Sequence, residues 1–180
     1  AAGEMLGGAT RNGILQRPCS IASQFLVDHV CRWLVVNQPD LAFFPSNNFA
    51  VDRADFLRIG GFSEEFPVAG AEDREFCYRW LQKGGRLRFA PNAVVEHYHS
   101  LTFRSFWRQQ FCYGRGACIF RRILTAGEMP PARSPSNLLV DLLLTAGREK
   151  RGWPALRNVG LLILSQVAYV AGFVRECPRQ

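Results

Sequence analysis

Two adjacent carboxylates, Glu72 and Asp73, open a stretch whose apolar residues recur at helical spacing. In a helix, positions 73, 77, 80 and 81 share one face, and the last three are Cys77, Trp80 and Leu81. Asp73 therefore begins the inward face, where a carboxylate is costly unless it is paired or lines a cleft. A cleft carboxylate, kept ionised by the free N–H groups of a helix start, can take a proton from a hydroxyl group as general base. The alternative is structural, because acidic residues in a first turn also favour the helix dipole.

Two histidines, His97 and His99, stand two residues apart in a later segment that reads as a strand. Side chains at this spacing point to the same side of a strand, so the two imidazoles could ligate a metal ion. The alternative is that one or both are ordinary half-buried histidines. Spacing alone favours this second interpretation.

Cations and aromatic residues alternate over residues 103–116, which include Arg104, Arg108 and Arg115. The arginines could offset the charge of a leaving diphosphate, since their forked donors match phosphate oxygens. They could also bind nucleic acid with aromatic stacking, or form the solvated basic face of an amphipathic helix. The aromatic residues recur at helical spacing, which favours a place in the core over a stacking role. These are Phe103, Phe106, Trp107 and Phe111.

The elements before the acidic pair are predicted from periodicity and from capping signals. Residues 1–19 are predicted as loop or extended chain, and Ser20 caps a helix that runs to about residue 36. Short strands are predicted at 41–44 and 48–51. A short helix follows from Asp52 to Ile59 and ends at Gly60-Gly61.

From the acidic pair onward, the sequence predicts one helix, two strands and then three helices. The acidic helix is predicted from Ala71 to Gly84, followed by strands at 86–90 and 93–98 on either side of Pro91-Asn92. A longer helix is predicted at 101–124, with an interruption near Gly114 and Gly116 left open. Two apolar helices, at about 136–146 and 154–174, complete the chain.

Composition restricts the class of protein. The 180 residues, 48% apolar and 21% charged, suffice for one globular domain with a core. The net charge of +7 predicts an anionic partner: a nucleotide diphosphate, nucleic acid or an acidic membrane face. The six cysteines include no C-x-x-C pair, which argues against structural zinc. Their scattered spacing predicts reduced, mostly buried thiols.

The last apolar helix has basic residues on both sides. A membrane-spanning helix needs about 20 mostly apolar residues, so this segment is borderline for spanning. Basic flanks together with Trp153 instead suit a helix that lies on an anionic membrane face. Packing against its own domain or a partner fits equally well. The flanking residues are Arg148, Lys150, Arg151, Arg175 and Arg179.

Several short motifs follow one another in a fixed order along residues 43–116. They are Pro45-Ser46-Asn47-Asn48-Phe49-Ala50-Val51, Gly60-Gly61-Phe62-Ser63-Glu64-Glu65-Phe66, Glu72-Asp73, Gly85-Arg86-Leu87, Ala90-Pro91 and Val94 to His97. This ordered set resembles the C-terminal half of family 2 glycosyltransferases. The resemblance implies an α/β protein: the C-terminal part of a GT-A nucleotide-diphospho-sugar transferase fold, followed by C-terminal helices. It also implies transfer of a sugar from a nucleotide-sugar donor to a glycan or lipid-linked acceptor, with inversion at the anomeric carbon.

The same resemblance implies roles for individual residues. Asp73 is the implied catalytic base, with Glu72 beside it at the acceptor site. His97 is implied to lie near the diphosphate and a bound Mg²⁺ or Mn²⁺, which makes it the candidate metal ligand. His99 has no such implied role. The candidate substrate-binding residues are Asn47, Asn48, Gly60, Gly61, Arg104, Arg108 and Arg115.

One family feature is absent from the sequence. Family members carry an N-terminal Rossmann-like half with an Asp-x-Asp type pair for the metal ion and nucleotide, and this chain contains neither Asp-x-Asp nor Asp-Asp. We therefore expect a fragment, nearly inactive alone, in which residues 3–51 include strands that lack their sheet neighbours. An unpaired sheet edge or an exposed apolar face is expected where the missing half would dock. Its expected parts are an acceptor-side half at 1–127 that carries the base, a Pro-rich linker at 128–136, and a helical segment at 137–180.

These features predict an enzyme of cell-envelope polysaccharide synthesis, cytoplasmic or peripheral at the inner face of the cytoplasmic membrane. Its expected partners are the nucleotide-sugar donor, the acceptor and an anionic membrane surface. The alternative is a basic module without catalysis that binds anionic lipid or nucleic acid. The ordered motifs favour the enzyme, and we expect no nucleic-acid partner.

Overall fold

The computed structural model describes residues 2–127, 135–149 and 153–177. Within these ranges the chain forms six α-helices and a three-stranded sheet, so the α/β class predicted from the sequence is confirmed. The strands are β1 (Glu4–Asn12), β2 (Phe49–Ala50) and β3 (Arg86–His97). The helices are α1 (Pro18–Asn37), α2 (Arg53–Ile59), α3 (Glu72–Gln82), α4 (Phe103–Ala126), α5 (Pro135–Glu149) and α6 (Trp153–Glu176).

The sheet has the order β2-β1-β3, with β1 antiparallel to β2 and parallel to β3. The segment predicted only as loop or extended chain therefore contains the central strand. The two strands predicted around Pro91-Asn92 form a single strand instead. Gly8 pairs with Ala90 and Ala9 with Val94, so residues 91–93 bulge out of the ladder and the strand continues beyond them.

Of the strands within residues 3–51, where strands without sheet neighbours were expected, β1 is paired on both sides and the two-residue β2 forms one edge of the described sheet. β3 forms the other edge. In the described part of the chain it has a strand neighbour only on the β1 side. Its apolar residues Phe89, Val94 and Val95 are more than one third exposed. An edge of this length with exposed apolar side chains is a surface on which further strands can pair.

Two apolar clusters hold the helices in place. In the first, α3 packs on the sheet through Phe76 and Trp80, which are fully buried with Met5 of β1. The second cluster joins α1, α4, α5 and α6 through Leu26, Phe106, Leu142, Leu162 and their neighbours. Full burial of each large apolar side chain contributes about 1.5–3 kcal/mol.

Two predictions for the segment before α3 had different outcomes. The predicted strand at 41–44 is wrong: a short 3-10 turn, Pro39–Leu41, is followed by irregular chain in which Ala42 is buried and Phe43 joins the first cluster. The helix signal at Asp52 is confirmed, because its carboxylate accepts hydrogen bonds from the N–H groups of Ala54 and Asp55 at the start of α2.

The Pro-rich linker predicted at 128–136 falls mainly on residues 128–134, which lie outside the described ranges.

The longest helices, α4 and α6, cross at very short range. α4 runs without interruption through Gly114 and Gly116. A Cβ at Gly114 would overlap the carbonyl oxygen of Tyr169 on α6, and a Cβ at Gly172 would overlap that of Phe111 on α4. These glycines therefore permit close packing of the two helices.

A disulfide between Cys118 and Cys177 fastens the same two helices, with their Cα atoms 5.9 Å apart. The expectation that all six cysteines are reduced is wrong for this pair. The remaining four, Cys19, Cys31, Cys77 and Cys112, are free thiols. A sequence separation of 59 residues gives no sign of the pairing, which depends on how α6 folds back onto α4.

Substituting Gly172→Ala is expected to lower the free energy of unfolding by about 1–3 kcal/mol. The added methyl group must displace backbone of α4, and this outweighs the higher helix propensity of alanine. Gly160→Ala in the same helix is the matched control, since a Cβ there has no atom within 4 Å. It is expected to stabilise by up to about 1 kcal/mol. Urea denaturation of both variants measures the difference, and equal stabilities would contradict the close crossing.

Candidate active site

Asp73 is the second residue of α3, at the end of the buried stripe predicted from the sequence. Cys77 and Trp80 on that stripe are fully buried, which fixes the helix. The half-buried Asp73 carboxylate accepts a 2.8 Å hydrogen bond from the N–H of Arg74 and a 3.3 Å bond from the N–H of Ser46. Backbone groups of two separate segments therefore hold this carboxylate in place.

The turn before α3 is constrained from both sides. Ala71 has φ +74° and Gly70 has φ +152°, conformations that cost a residue with a Cβ about 1–2 kcal/mol. The Glu72 carboxylate accepts a 2.6 Å hydrogen bond from the N–H of Gly70. On the other side Gly116 of α4 lies against this turn, where a Cβ would overlap the Gly70 carbonyl oxygen. Glu72 therefore orients the turn that presents Asp73.

The pKa of Asp73 is raised above the ordinary value for Asp, first by burial and then by the neighbouring charge of Glu72. The N–H groups of Arg74 and Ser46 favour the ionised form, as expected at a helix start, and the Arg74 guanidinium acts in the same direction. Burial outweighs them. The carboxylate consequently binds a proton more readily than an exposed Asp does.

The charge of the Asp73 carboxylate affects the pKa of two neighbouring neutral side chains. The pKa of Tyr113 is raised to about 12, by burial and then by the charges of Asp73 and Glu72. The pKa of Cys31 is also raised to about 12, by burial and then by Asp73 and Asp28. Both are therefore protonated at neutral pH. Sequence reasoning missed them, because each lies about 40 residues from Asp73 along the chain and on a different helix.

Arg74 is a further neighbour that sequence reasoning missed. Its guanidinium lies 5.3 Å from the ring centroids of both Phe43 and Phe120. Tyr169 of α6 hydrogen-bonds to it, and burial is the main cause of the raised pKa of this tyrosine. Arg74 therefore anchors the start of α3 between the core and α6.

The two asparagines predicted to bind substrate have backbone and side-chain partners within the fold. The amide of Asn48 donates to the carbonyl oxygens of Ala9 and Ala93 at 2.8 and 3.0 Å, across the bulge in β3. The exposed Asn47 accepts a 3.3 Å hydrogen bond from the hydroxyl of Thr10. Asn48 thus ties the sheet together, and Asn47 stays a predicted substrate contact.

The glycines predicted to bind substrate form the end of α2. Gly60 and Gly61 have φ of +100° and +63°, the left-handed region in which glycine is favoured. Arg79 of α3 donates to the carbonyl oxygens of Ile59 and Gly61 at 2.8 and 2.6 Å. The turn is therefore held by its backbone, and its role towards substrate stays a prediction.

A chain of contacts connects the histidines to the Asp73 region. The ring centroids of His97 and His99 are 5.4 Å apart, and His99 Nδ1 lies 3.4 Å from the amide nitrogen of Gln109. Gln109 also hydrogen-bonds to Tyr113, which senses the charge of Asp73. Burial, followed by the charge of His97, lowers the pKa of His99. That His97 lines the same cleft as Asp73 stays a prediction.

The three candidate arginines of α4 have different surroundings. Arg104 and Arg108 are exposed. Arg115 is mostly buried, and its Nε lies 2.6 Å from a carboxylate oxygen of Glu176 on α6. Arg104 and Arg108 are therefore the arginines better placed to reach a ligand.

Residues 19–175 match the family model described as Glycosyl transferase family group 2. The chain belongs to this family. The resemblance noted in the sequence is confirmed, and the small mixed sheet with its helices is consistent with part of a GT-A fold.

Several glycosyltransferases are similar to short parts of the chain. It is 33% identical over 76 residues to the probable glycosyltransferase YdaM of Bacillus subtilis (strain 168), which covers 42% of this chain and 17% of the relative. It is 29% identical over 83 residues to the pre-mycofactocin glycosyltransferase of Mycobacterium tuberculosis, covering 46% and 17%. For polypeptide N-acetylgalactosaminyltransferase 3 of Mus musculus the identity is 36% over 62 residues, covering 34% and 9%. The chain thus matches less than one fifth of each relative's length, and no solved structure matches it.

Glycosyltransferases of this family generally use divalent metal ions. Among the described residues, no three His, Cys, Asp or Glu side chains are grouped to hold one. His97 and His99 supply two imidazoles, whereas Mg²⁺ prefers several oxygen ligands. The described residues therefore do not form a complete Mg²⁺ or Mn²⁺ site, and His97 as a ligand stays a prediction.

Proposed function

We propose that this chain is the acceptor-side part of an inverting nucleotide-sugar glycosyltransferase, with Asp73 as its general base. The observation that supports this most is a contrast within one helix. Glu75 is buried in an ion pair with Arg79, as a structural carboxylate should be. Asp73, two residues earlier, is held only through backbone N–H groups, and within the described ranges no Lys or Arg forms an ion pair with it. A half-buried carboxylate of raised pKa without an ion-pair partner is suited to accept a proton.

In this proposal the reaction is a single displacement. The acceptor hydroxyl lies against Asp73 and transfers its proton to the carboxylate as its oxygen bonds to the anomeric carbon of the donor sugar. The bond between that carbon and the nucleoside diphosphate breaks on the opposite side, so the configuration inverts. Glu72 keeps the turn before α3 in place through its bond to Gly70. Arg104 and Arg108 offset the charge of the departing diphosphate.

The donor is held by a nucleotide-binding half that the intact enzyme supplies. The exposed edge of β3 is the proposed junction with it, because a strand added there would cover Phe89, Val94 and Val95. The proposed acceptor is a glycan or lipid-linked sugar of the cell envelope, and the proposed location is cytoplasmic. These substrates follow from the family and not from a particular contact.

Product stereochemistry tests the proposed reaction. When the intact enzyme is incubated with a panel of nucleotide sugars and no acceptor, we expect slow release of a nucleoside diphosphate from at least one donor. Proton NMR in the first minutes should show the released sugar with the opposite anomeric configuration to the donor. The 180-residue chain alone is the control and is expected to consume no donor. Retained configuration would refute the single displacement, and an intact enzyme that consumes no nucleotide sugar would refute the proposed activity.

A further inference from the structure

α6 has two apolar faces, and the domain covers only one of them. Leu162, Ser165 and Ala168 are at most 1% exposed and face the rest of the domain. On the other face the apolar side chains are between 50% and 68% exposed. These residues are Leu156, Ile163, Val167, Val170 and Val174, and we call them the apolar face of α6.

The apolar face forms a continuous stripe along the helix. At about 100° per residue its five members and the exposed Gly160 lie within about 80° of one another, opposite the buried residues. α5 packs beside α6 and exposes Val140 and Leu144, both more than half exposed. An exposed patch of this extent is typical of a surface that contacts a membrane or another protein.

The packing of α6 determines how it could meet a membrane. By length and composition, residues Leu156–Glu176 could cross one. However, the buried face is fastened to α4 by the Gly114 and Gly172 crossing and by the ion pair of Glu176 with Arg115. A helix held in this way can lie along a membrane with its free face but cannot span it without separating from the domain.

The charges around the apolar face select between a lipid surface and a second copy of the chain. Arg157 and Arg175 are exposed, and both lie about 100° to the same side of the stripe. Within α6 the acidic residue is Glu176, which is buried and paired with Arg115. If two α6 helices paired through this face, each would bring its arginines to the interface, and the described part of α6 has no exposed acidic residue to pair with them. An anionic surface is complementary to the same arrangement.

We propose that the apolar face of α6 docks on an anionic phospholipid membrane, with the helix lying in the plane of the headgroups. The aliphatic side chains enter the boundary between headgroups and acyl chains. Arg157 and Arg175 extend to the lipid phosphates. The proposal does not depend on the assignment of Asp73.

Sedimentation of the chain with phospholipid vesicles tests this proposal. We expect the chain to bind phosphatidylcholine vesicles that contain 30% phosphatidylglycerol and to bind pure phosphatidylcholine much less. Val167→Glu combined with Val170→Glu should weaken binding at least about tenfold, through lost apolar contact and charge repulsion. Arg157→Ala and Arg175→Ala should each weaken it about fivefold.

The matched control is Val35→Glu combined with Val36→Glu on α1, where both valines are more than half exposed. It changes the net charge equally and is expected to leave vesicle binding intact. Absence of vesicle binding, or equal losses in the two double variants, would overturn the proposal. A different result would identify a second copy of the chain as the partner of this face. In that case light scattering shows a dimer that only the α6 double variant converts to a monomer, and the chain does not bind vesicles. If circular dichroism shows that the glutamates disturb folding, Val167→Ser with Val170→Ser replaces them and is expected to weaken binding without adding charge.

Discussion

Asp73→Asn in the intact enzyme is expected to lower turnover by about 10²–10⁴-fold and to leave the domain folded. The amide keeps the shape of the side chain but cannot take the proton of the acceptor hydroxyl. The amide oxygen can still accept from the N–H of Arg74 or Ser46, so the start of α3 should stay in place. Initial rates of nucleoside diphosphate release in the presence of acceptor measure the change.

The raised pKa of Asp73 gives the same experiment a pH dependence. Wild-type turnover should fall as the pH drops through a value above the ordinary range for Asp, because the protonated base is inactive. Because the pKa of Asp73 is higher in the folded than in the unfolded protein, protonation of this side chain favours the folded state. The contribution is complete below the unfolded pKa of about 3.9 and is lost as the pH rises through the folded-state pKa. At pH 7 the ionised carboxylate therefore works against stability. Thermal melting should show Asp73→Asn to be no less stable than wild type at that pH.

Two further variants make the result specific. Asp28→Asn is the matched control, since burial also raises the pKa of this aspartate and it has no proposed catalytic role. It is expected to keep near wild-type turnover. Glu72→Gln should lose less activity than Asp73→Asn, because the amide oxygen can still accept from the N–H of Gly70. If Asp73→Asn keeps its turnover, or loses it only because it unfolds, Asp73 is not the base.

Local signals in the sequence identified the helix that carries the proposed base. An acidic first turn, the apolar stripe at 77 and 80 and the glycines that follow are all contained within 15 residues, so periodicity and capping chemistry predict α3 closely. The same holds for α2, whose capping residue Asp52 is adjacent to the helix it caps. These elements are determined by residues near one another in the chain.

Contacts between distant segments could not be predicted in this way. β1 is a strand because β2 and β3 pair with it, although its own sequence is rich in glycine and weakly periodic. The hydrogen bond from Ser46 to Asp73, and the effect of the Asp73 charge on Tyr113 and Cys31, depend on how three other segments pack around the start of α3. The cysteine prediction failed for the same reason, since the disulfide requires α6 to lie on α4.

The carboxylates of α3 show where sequence reasoning stops. Glu72, Asp73 and Glu75 all lie in the first turn, and a helix-dipole argument treats them alike. The fold gives each a separate environment: a turn amide for Glu72, two backbone N–H groups for Asp73 and an arginine for Glu75. The apolar stripe places Asp73 on the inward face, but only the structure shows that Glu75 is buried in an ion pair and that Asp73 is not.

Arg79→Met is expected to lower the free energy of unfolding by about 3–5 kcal/mol. Glu75 is only 3% exposed and bonds to Arg79 through both carboxylate oxygens, one of them 2.8 Å from Nη2. Removing the guanidinium leaves this buried carboxylate without its cation. It also releases the carbonyl oxygens of Ile59 and Gly61, so the end of α2 loses its connection to α3. Urea denaturation should show a lower midpoint with an unchanged slope.

Arg58→Met is the matched control, because Arg58 forms an ion pair with Asp55 on the surface of α2 and is half exposed. A surface pair contributes about 0–1 kcal/mol, so this variant should remain close to wild type. Glu75→Leu combined with Arg79→Met should recover much of the loss, since replacing both members of a buried pair removes the isolated charge. That recovery would separate the cost of an unpaired buried carboxylate from the cost of freeing the α2 turn. If Arg79→Met destabilised the protein no more than Arg58→Met, the pair would not hold α2 to α3, and Glu75 would no longer serve as the structural contrast to Asp73.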